Sequence, residues 1–150
     1  MNKPSAGQKA CSLQCEHLEN PLGLDEKIPR LSWRLDDPQP GARQTAYRVV
    51  AASSLAGLEQ KPDLWDSGKV ASDQCLDIVY GGRKLKSRQP VFWRVRTWDH
   101  RGAESEWSEP AYFEMGLLRP ADWTAAWIGR PLESREDSQP CPYLRRPFIV

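Results

Sequence analysis

Histidine is scarce in this chain: two in 150 residues, His17 and His100. A histidine-rich metal site or a proton-relay network has little to build on. Charge of one sign is also lacking, since 21 Lys and Arg stand against 20 Asp and Glu, for a net charge of +1. That balance argues against nucleic acid or an anionic membrane as the main partner. No apolar run approaches the ~20 residues of a membrane span, and the mean hydropathy is −0.66. The four cysteines, Cys11, Cys15, Cys75 and Cys141, form no CxxC pair, and no second pair or nearby histidine completes a metal site. They read as separate small side chains in a reducing compartment. No Gly-rich phosphate loop and no GxSxG elbow occurs. Residues 1–10 are polar and lack the apolar stretch of a secretory leader, so the expected location is cytoplasmic. No cofactor, metal site or catalytic group is expected.

Tryptophan and proline are plentiful, at 7 and 13. The apolar residues alternate with a period of two rather than 3.6, and they are rich in β-branched and aromatic types. Seven strands are predicted: Cys11–Leu18, Arg30–Leu35, Thr45–Ser53, Leu64–Val70, Leu76–Tyr80, Pro90–Asp99 and Glu106–Met115. Turn signals separate them at Asn20–Gly23, Asp36–Pro38, Gly81–Gly82 and Asp99–Gly102. Ser54–Gln60 has room for one helical turn at most. Short strands at this spacing predict an all-β fold, a seven-stranded antiparallel sandwich of the immunoglobulin or fibronectin type III-like kind. Its inner set is Leu31, Trp33, Leu35, Tyr47, Val49, Ala51, Ile78, Tyr80, Trp93, Val95 and Phe113.

The expected organisation is a disordered tail at 1–10, the sandwich at 11–116, a linker at 117–122 and an incomplete second β-sandwich at 123–150. Some 28 residues cannot close a core alone. The last segment, Tyr143–Val150, reads as a strand.

Residues 81–101 hold seven bases (Arg83, Lys84, Lys86, Arg88, Arg94, Arg96 and Arg101) against one acid, Asp99. Residues 102–114 hold four acids, Glu104, Glu106, Glu109 and Glu114, and no base. Antiparallel neighbours of opposite charge gain ~0.2–1 kcal/mol per cross-strand pair. The basic run is therefore read as half of a charge-matched hairpin rather than as a nucleic-acid patch.

Ser105–Glu106–Trp107–Ser108 resembles the second half of the WSxWS motif of fibronectin-type cytokine-receptor domains, with Glu104 in place of the motif's first tryptophan. In those domains strand arginines stack on the motif's tryptophan. Here Trp107 is expected against Arg94 or Arg96 as a structural brace, with a ligand surface as the second reading. Trp65 and Trp98 are the candidates for an exposed platform that covers a sugar ring. The acid pairs Asp25/Glu26, Asp36/Asp37 and Glu136/Asp137 are adjacent in polar loops, with nothing to mark them as a glycosidase pair.

Glu16–Asp25 followed by Pro29–Trp33 is similar to the opening of bacterial α-L-rhamnosidases of glycoside hydrolase family 78. So are Arg43–Val49, Leu64–Val70, Trp93–Asp99, Trp107–Glu109 and Phe113–Leu118. The order holds from about residue 11 to 129. The resemblance implies a fibronectin type III-like domain, followed from Trp123 by the start of an accessory β-sandwich. It implies a parent enzyme that removes terminal α-L-rhamnose from glycosides with inversion. That family's catalytic carboxylates lie on a downstream helical barrel absent from these 150 residues, so no catalytic residue carries over. The expected function is a non-catalytic module that packs against and orients downstream domains. The alternatives are a carbohydrate-binding module for rhamnosylated glycosides and a protein-interaction domain.

Overall fold

The computed structural model describes residues 7–128 and 143–147. Eight strands form two antiparallel sheets: β1 (Lys9–Cys15), β2 (Arg30–Asp36), β3 (Gln44–Ala52), β4 (Trp65–Asp66), β5 (Val70–Ala71), β6 (Ile78–Val79), β7 (Pro90–Asp99) and β8 (Ala111–Glu114). One sheet has the order β1-β2-β6. The other runs β4-β3-β7-β8, with β5 also on β3. A six-residue helix, α1 (Leu55–Gln60), follows β3. The fold is the expected all-β, immunoglobulin-like class.

Alternation decides which side chains meet. Along β7, Val91, Trp93, Val95 and Thr97 point inward and are buried. Tyr47, Val49 and Ala51 of β3 face the same core, and Leu31 and Trp33 of β2 close it from the other sheet. Trp33 meets Tyr47 edge-on, with ring centroids 5.3 Å apart. A buried indole N–H needs a partner. Trp33 Nε1 donates to Gln44 Oε1 at 3.0 Å, and Gln44 Nε2 donates onward to the Gln74 carbonyl at 2.6 Å. Of the predicted inner set, Leu35 alone is partly buried rather than buried.

The other face of β3 is also covered. Val50 and Ala52 pack with Leu58 of α1, joined by Phe92 and Trp107. This explains a helix in so short a segment: Ser54 Oγ caps it by accepting from the Gly57 N–H, and Leu58 gives it something to bury.

Several boundaries differ from the sequence reading. β1 starts at Lys9, and Ala10 is buried, so the expected 1–10 tail already contributes to the sheet. Residues 1–6 lie outside the described residues. The strand expected at Leu64–Val70 is two short pieces, because Ser67–Gly68 turns between them with Gly68 at φ 61. The last strand is Ala111–Glu114 rather than Glu106–Met115. Pro110 has no N–H to donate, and two serine hydroxyls act before it instead, as shown below. Tyr143–Pro147 of the expected terminal strand carry no strand pairing. Tyr143 and Leu144 are exposed, and an extended segment without a neighbour has no ladder to join. The rest of that segment, the pair Glu136/Asp137 and Cys141 lie outside the described residues.

Gly82 sits where the turn after β6 crosses β4. A Cβ there would stand 2.6 Å from both the Leu64 carbonyl oxygen and Trp65 Cβ. Gly82→Ala is therefore expected to destabilise the fold by about 1–3 kcal/mol in a denaturant melt, and an unchanged midpoint would show that this turn has slack. Trp33→Ala empties the centre of the core and is expected to cost about 3–5 kcal/mol. A loss below about 1 kcal/mol in the same assay would remove Trp33 from the core.

Candidate domain-docking site

The end of the sandwich is tied down residue by residue. Met115 N donates to the Gln89 carbonyl at 3.0 Å, and Arg88 N donates to the Gly116 carbonyl at 3.0 Å. Gly116 passes so close to Gly23 that a Cβ would lie 2.8 Å from its carbonyl oxygen. Leu118 N then donates to Ser87 Oγ at 2.9 Å, and the Ser87 hydroxyl donates in turn to the Asp122 carboxylate. Arg119 grips the same carboxylate through Nη2 at 2.6 Å and Nε at 3.2 Å. Pro120 opens the 3-10 turn Pro120–Asp122 that brings Asp122 back to Ser87. The segment read as a linker from its sequence is thus a latch on the sandwich.

The latch borders a groove of about 810 Å³. Lys27, Lys84, Lys86 and Arg88 line it together with Leu118, Arg119, Asp122 and the buried Leu85. Beyond the latch, Trp123 and Trp127 stack with centroids 6.0 Å apart and 27° between planes. Trp127 is 92% exposed, and Ile128 beside it is also exposed.

Arg94, Arg96 and Trp107 meet on the outer face of the β3–β7 sheet. Trp107 carries the Arg96 guanidinium 4.3 Å from its ring centroid and that of Arg94 at 4.7 Å. Two serines place the ring. Ser105 Oγ accepts from Thr97 N at 3.0 Å, and Ser108 Oγ accepts from Val95 N at 3.1 Å. Their own N–H groups donate to the carbonyls of the same two residues at 2.9 Å. This continues the ladder through side chains and turns Trp107 outward over the arginines. Register sets Arg48 opposite Arg96, a like-charge pair that costs stability unless each finds an acid. Arg48 takes Asp66 in a bidentate pair at 2.9 and 2.6 Å, and Arg96 takes Glu104.

The charge-matched hairpin is realised once. Among the described residues, Arg96–Glu104 is the one ion pair between the two stretches. Glu109 reaches Lys9 at 3.4 Å, and Glu114 accepts from the Tyr112 hydroxyl. Arg83–Arg88 precede β7 and lie beyond the reach of β8, which pairs only with Pro90–Trp93.

The two sugar-platform candidates do not offer open ring faces. Trp98 is 8% exposed, and Lys69 Nζ lies 4.4 Å over its ring. Trp65 is half-buried, edge-on to Tyr80 at 5.2 Å, with the Gly81–Gly82 turn against it. The expectation of exposed faces treated a tryptophan on an outer strand face as uncovered, whereas a long lysine stem and a glycine turn fold over these two. The groove was not expected: the sequence shows a basic run at Arg83–Arg88, but nothing in it brings Lys27 or the distant 117–122 segment beside that run.

Trp107→Ala is expected to lower stability by about 1–2 kcal/mol, and a double-mutant cycle with Arg96→Ala to give a coupling of about 0.5–1 kcal/mol. A coupling near zero would show that the stack holds nothing together. Arg119, and then Ser87, hold the Asp122 carboxyl down at about 2. A lowered carboxyl favours the latched state above the ordinary carboxylate range, and the advantage is lost as pH falls through the folded value. The latch should stay closed at neutral pH and loosen between about pH 4 and 2, seen as an Asp122 carboxyl titration at the low end of that window by NMR. A midpoint near the ordinary value would mean the latch is open in solution.

A family model described as the Rha78A-like, N-terminal immunoglobulin domain matches residues 10–119. An α-L-rhamnosidase from Streptomyces avermitilis is 49% identical over 123 residues, which is 82% of this chain and 12% of that protein. One from Alteromonas sp. is 44% identical over 142 residues, 90% of this chain and 15% of that protein. The crystal structure of the Streptomyces avermitilis enzyme complexed with L-rhamnose superposes with a TM-score of 0.79 at 48% identity, covering 83% of this chain and 12% of that one. The α-L-rhamnosidase from Dictyoglumus thermophilum gives 0.80 at 39% identity, over 87% of this chain and 15% of that one. The chain thus spans about one-eighth of the length of these relatives. It belongs to the family of Rha78A-like N-terminal immunoglobulin domains.

Proposed function

We propose that this chain is a non-catalytic accessory module of an α-L-rhamnosidase, an enzyme that releases terminal α-L-rhamnose from glycosides. Its partners are the downstream domains of that enzyme, and its task is to fix their direction. The observation that carries this reading is the latch: Ser87, Arg119 and Asp122 hold the outgoing chain against the sandwich rather than leaving it a flexible tether. Exposed Trp127 and Ile128, directly beyond it, are apolar surface suited to cover by another domain. The relatives support it too, because each extends far beyond the matched part. The free thiols Cys11, Cys15 and Cys75 support a cytoplasmic setting.

The 150-residue chain is expected to release no nitrophenol from 4-nitrophenyl α-L-rhamnoside, whereas a chimera carrying it in place of the aligned part of the Streptomyces avermitilis enzyme is expected to be active. Turnover by the isolated chain would overturn the reading. Millimolar L-rhamnose should leave its tryptophan fluorescence unchanged. A saturable shift, lost in Trp98→Ala, would turn the assignment to a carbohydrate-binding module.

A further inference from the structure

The run Arg83–Arg88 serves neither the hairpin nor the arginine–tryptophan stack. Lys84, Lys86 and Arg88 instead join Lys27 around the groove beside the latch. Among the described residues, none of these four pairs with a carboxylate, since the ion pairs involve other bases. The one acid on the wall, Asp122, is already taken by Ser87 and Arg119. Cations gathered around a concave surface repel one another, and each gains when an anion enters.

We propose that this groove seats a carboxylate-rich polypeptide segment of a neighbouring domain of the same enzyme, an inference that rests on the accessory reading above. Three features select that occupant. The groove, at about 810 Å³, is larger than a single small anion needs. Leu85, Leu118, Ala121 and the lysine stems provide apolar surface for the methylenes of glutamate side chains. The latch residues Ser87, Arg119 and Asp122, and Thr124 after them, line it, so a segment tethered beyond Thr124 is present at high effective concentration. A nucleic-acid strand fits less well, because no aromatic side chain lines the groove to stack on bases.

The test is an amide-shift NMR titration of the full chain with a hexaglutamate peptide at low salt. Shifts should be confined to Lys27, Lys84–Arg88 and Leu118–Thr124. Lys84→Glu/Lys86→Glu should weaken binding at least about tenfold while the rest of the spectrum stays in place, and Lys84→Arg/Lys86→Arg should retain it. High salt should weaken binding in the same way. The proposal is overturned by no shifts, by shifts spread over the whole surface, or by equal binding to the charge-reversed variant. It is also overturned if sulfate gives the same shifts, or if an oligothymidylate of matched charge binds as tightly. Any of these leaves the accessory reading standing, because that reading is decided by the hydrolysis assay and the chimera.

Discussion

β3 and β7 pair without a break from Ala46 opposite Trp98 to Ala52 opposite Phe92, beyond a register shift after Gln44, and side chains on each strand alternate between the two faces. That register decides most of what else the molecule has. On one face it lines up Tyr47, Val49 and Ala51 with Trp93, Val95 and Thr97 to make the core. On the other it brings Arg48, Arg94 and Arg96 together. A slip of one residue would put arginines into the core and tryptophan into water. The outer devices, namely the Arg48–Asp66 pair, Glu104, the Trp107 stack and the helix under Leu58, all serve to make three crowded cations tolerable. Arg94 does double duty, since its Nη2 also donates to the Leu58 carbonyl at 3.1 Å.

The same economy of side chains runs through the polar contacts. Gln44 satisfies the buried Trp33 indole and hands its own amide to the Gln74 carbonyl, so one residue links β2, β3 and the segment before β6. Ser105 and Ser108 stand in for backbone where β8 has not yet begun. Ser87 both accepts from Leu118 and donates to Asp122, joining the loop before β7 to the chain that leaves the sandwich. Each case follows from the cost of leaving a polar group unpaired when strands end early.

The latch and its groove sit at one end of the sandwich, while the arginine–tryptophan stack sits on the face of a sheet. The separation matters for function. In the stack, Arg96 meets Glu104, and Arg94 meets the Trp107 ring and the Leu58 carbonyl. Among the described residues, the groove's four bases have no carboxylate partner, next to the point where the chain departs. Among the described residues no group of three or more His, Cys, Asp and Glu side chains is placed to hold a metal.

Legibility in the sequence followed range of interaction. The period-two runs at Arg30–Leu35 and Pro90–Asp99 specified strands and which residues face inward, because alternation is a local property of an extended chain. The Ser-Glu-Trp-Ser run pointed to an aromatic beside strand arginines through its resemblance to the WSxWS motif rather than through alternation. Helix α1 was harder to see, since six residues are stabilised by the Leu58 contact with Val50 and Ala52 rather than by propensity. The covering of Trp98 by Lys69, the division of the strand at Ser67–Gly68, and the meeting of Lys27 with Lys84–Arg88 depend on which loops cross in space. The sequence by itself determined the sandwich and its inner face, because burial must follow the pleat. Only the tertiary structure decided that Ser87 would hold Asp122 and that four scattered bases would share one groove, because those contacts join segments that no local pattern connects.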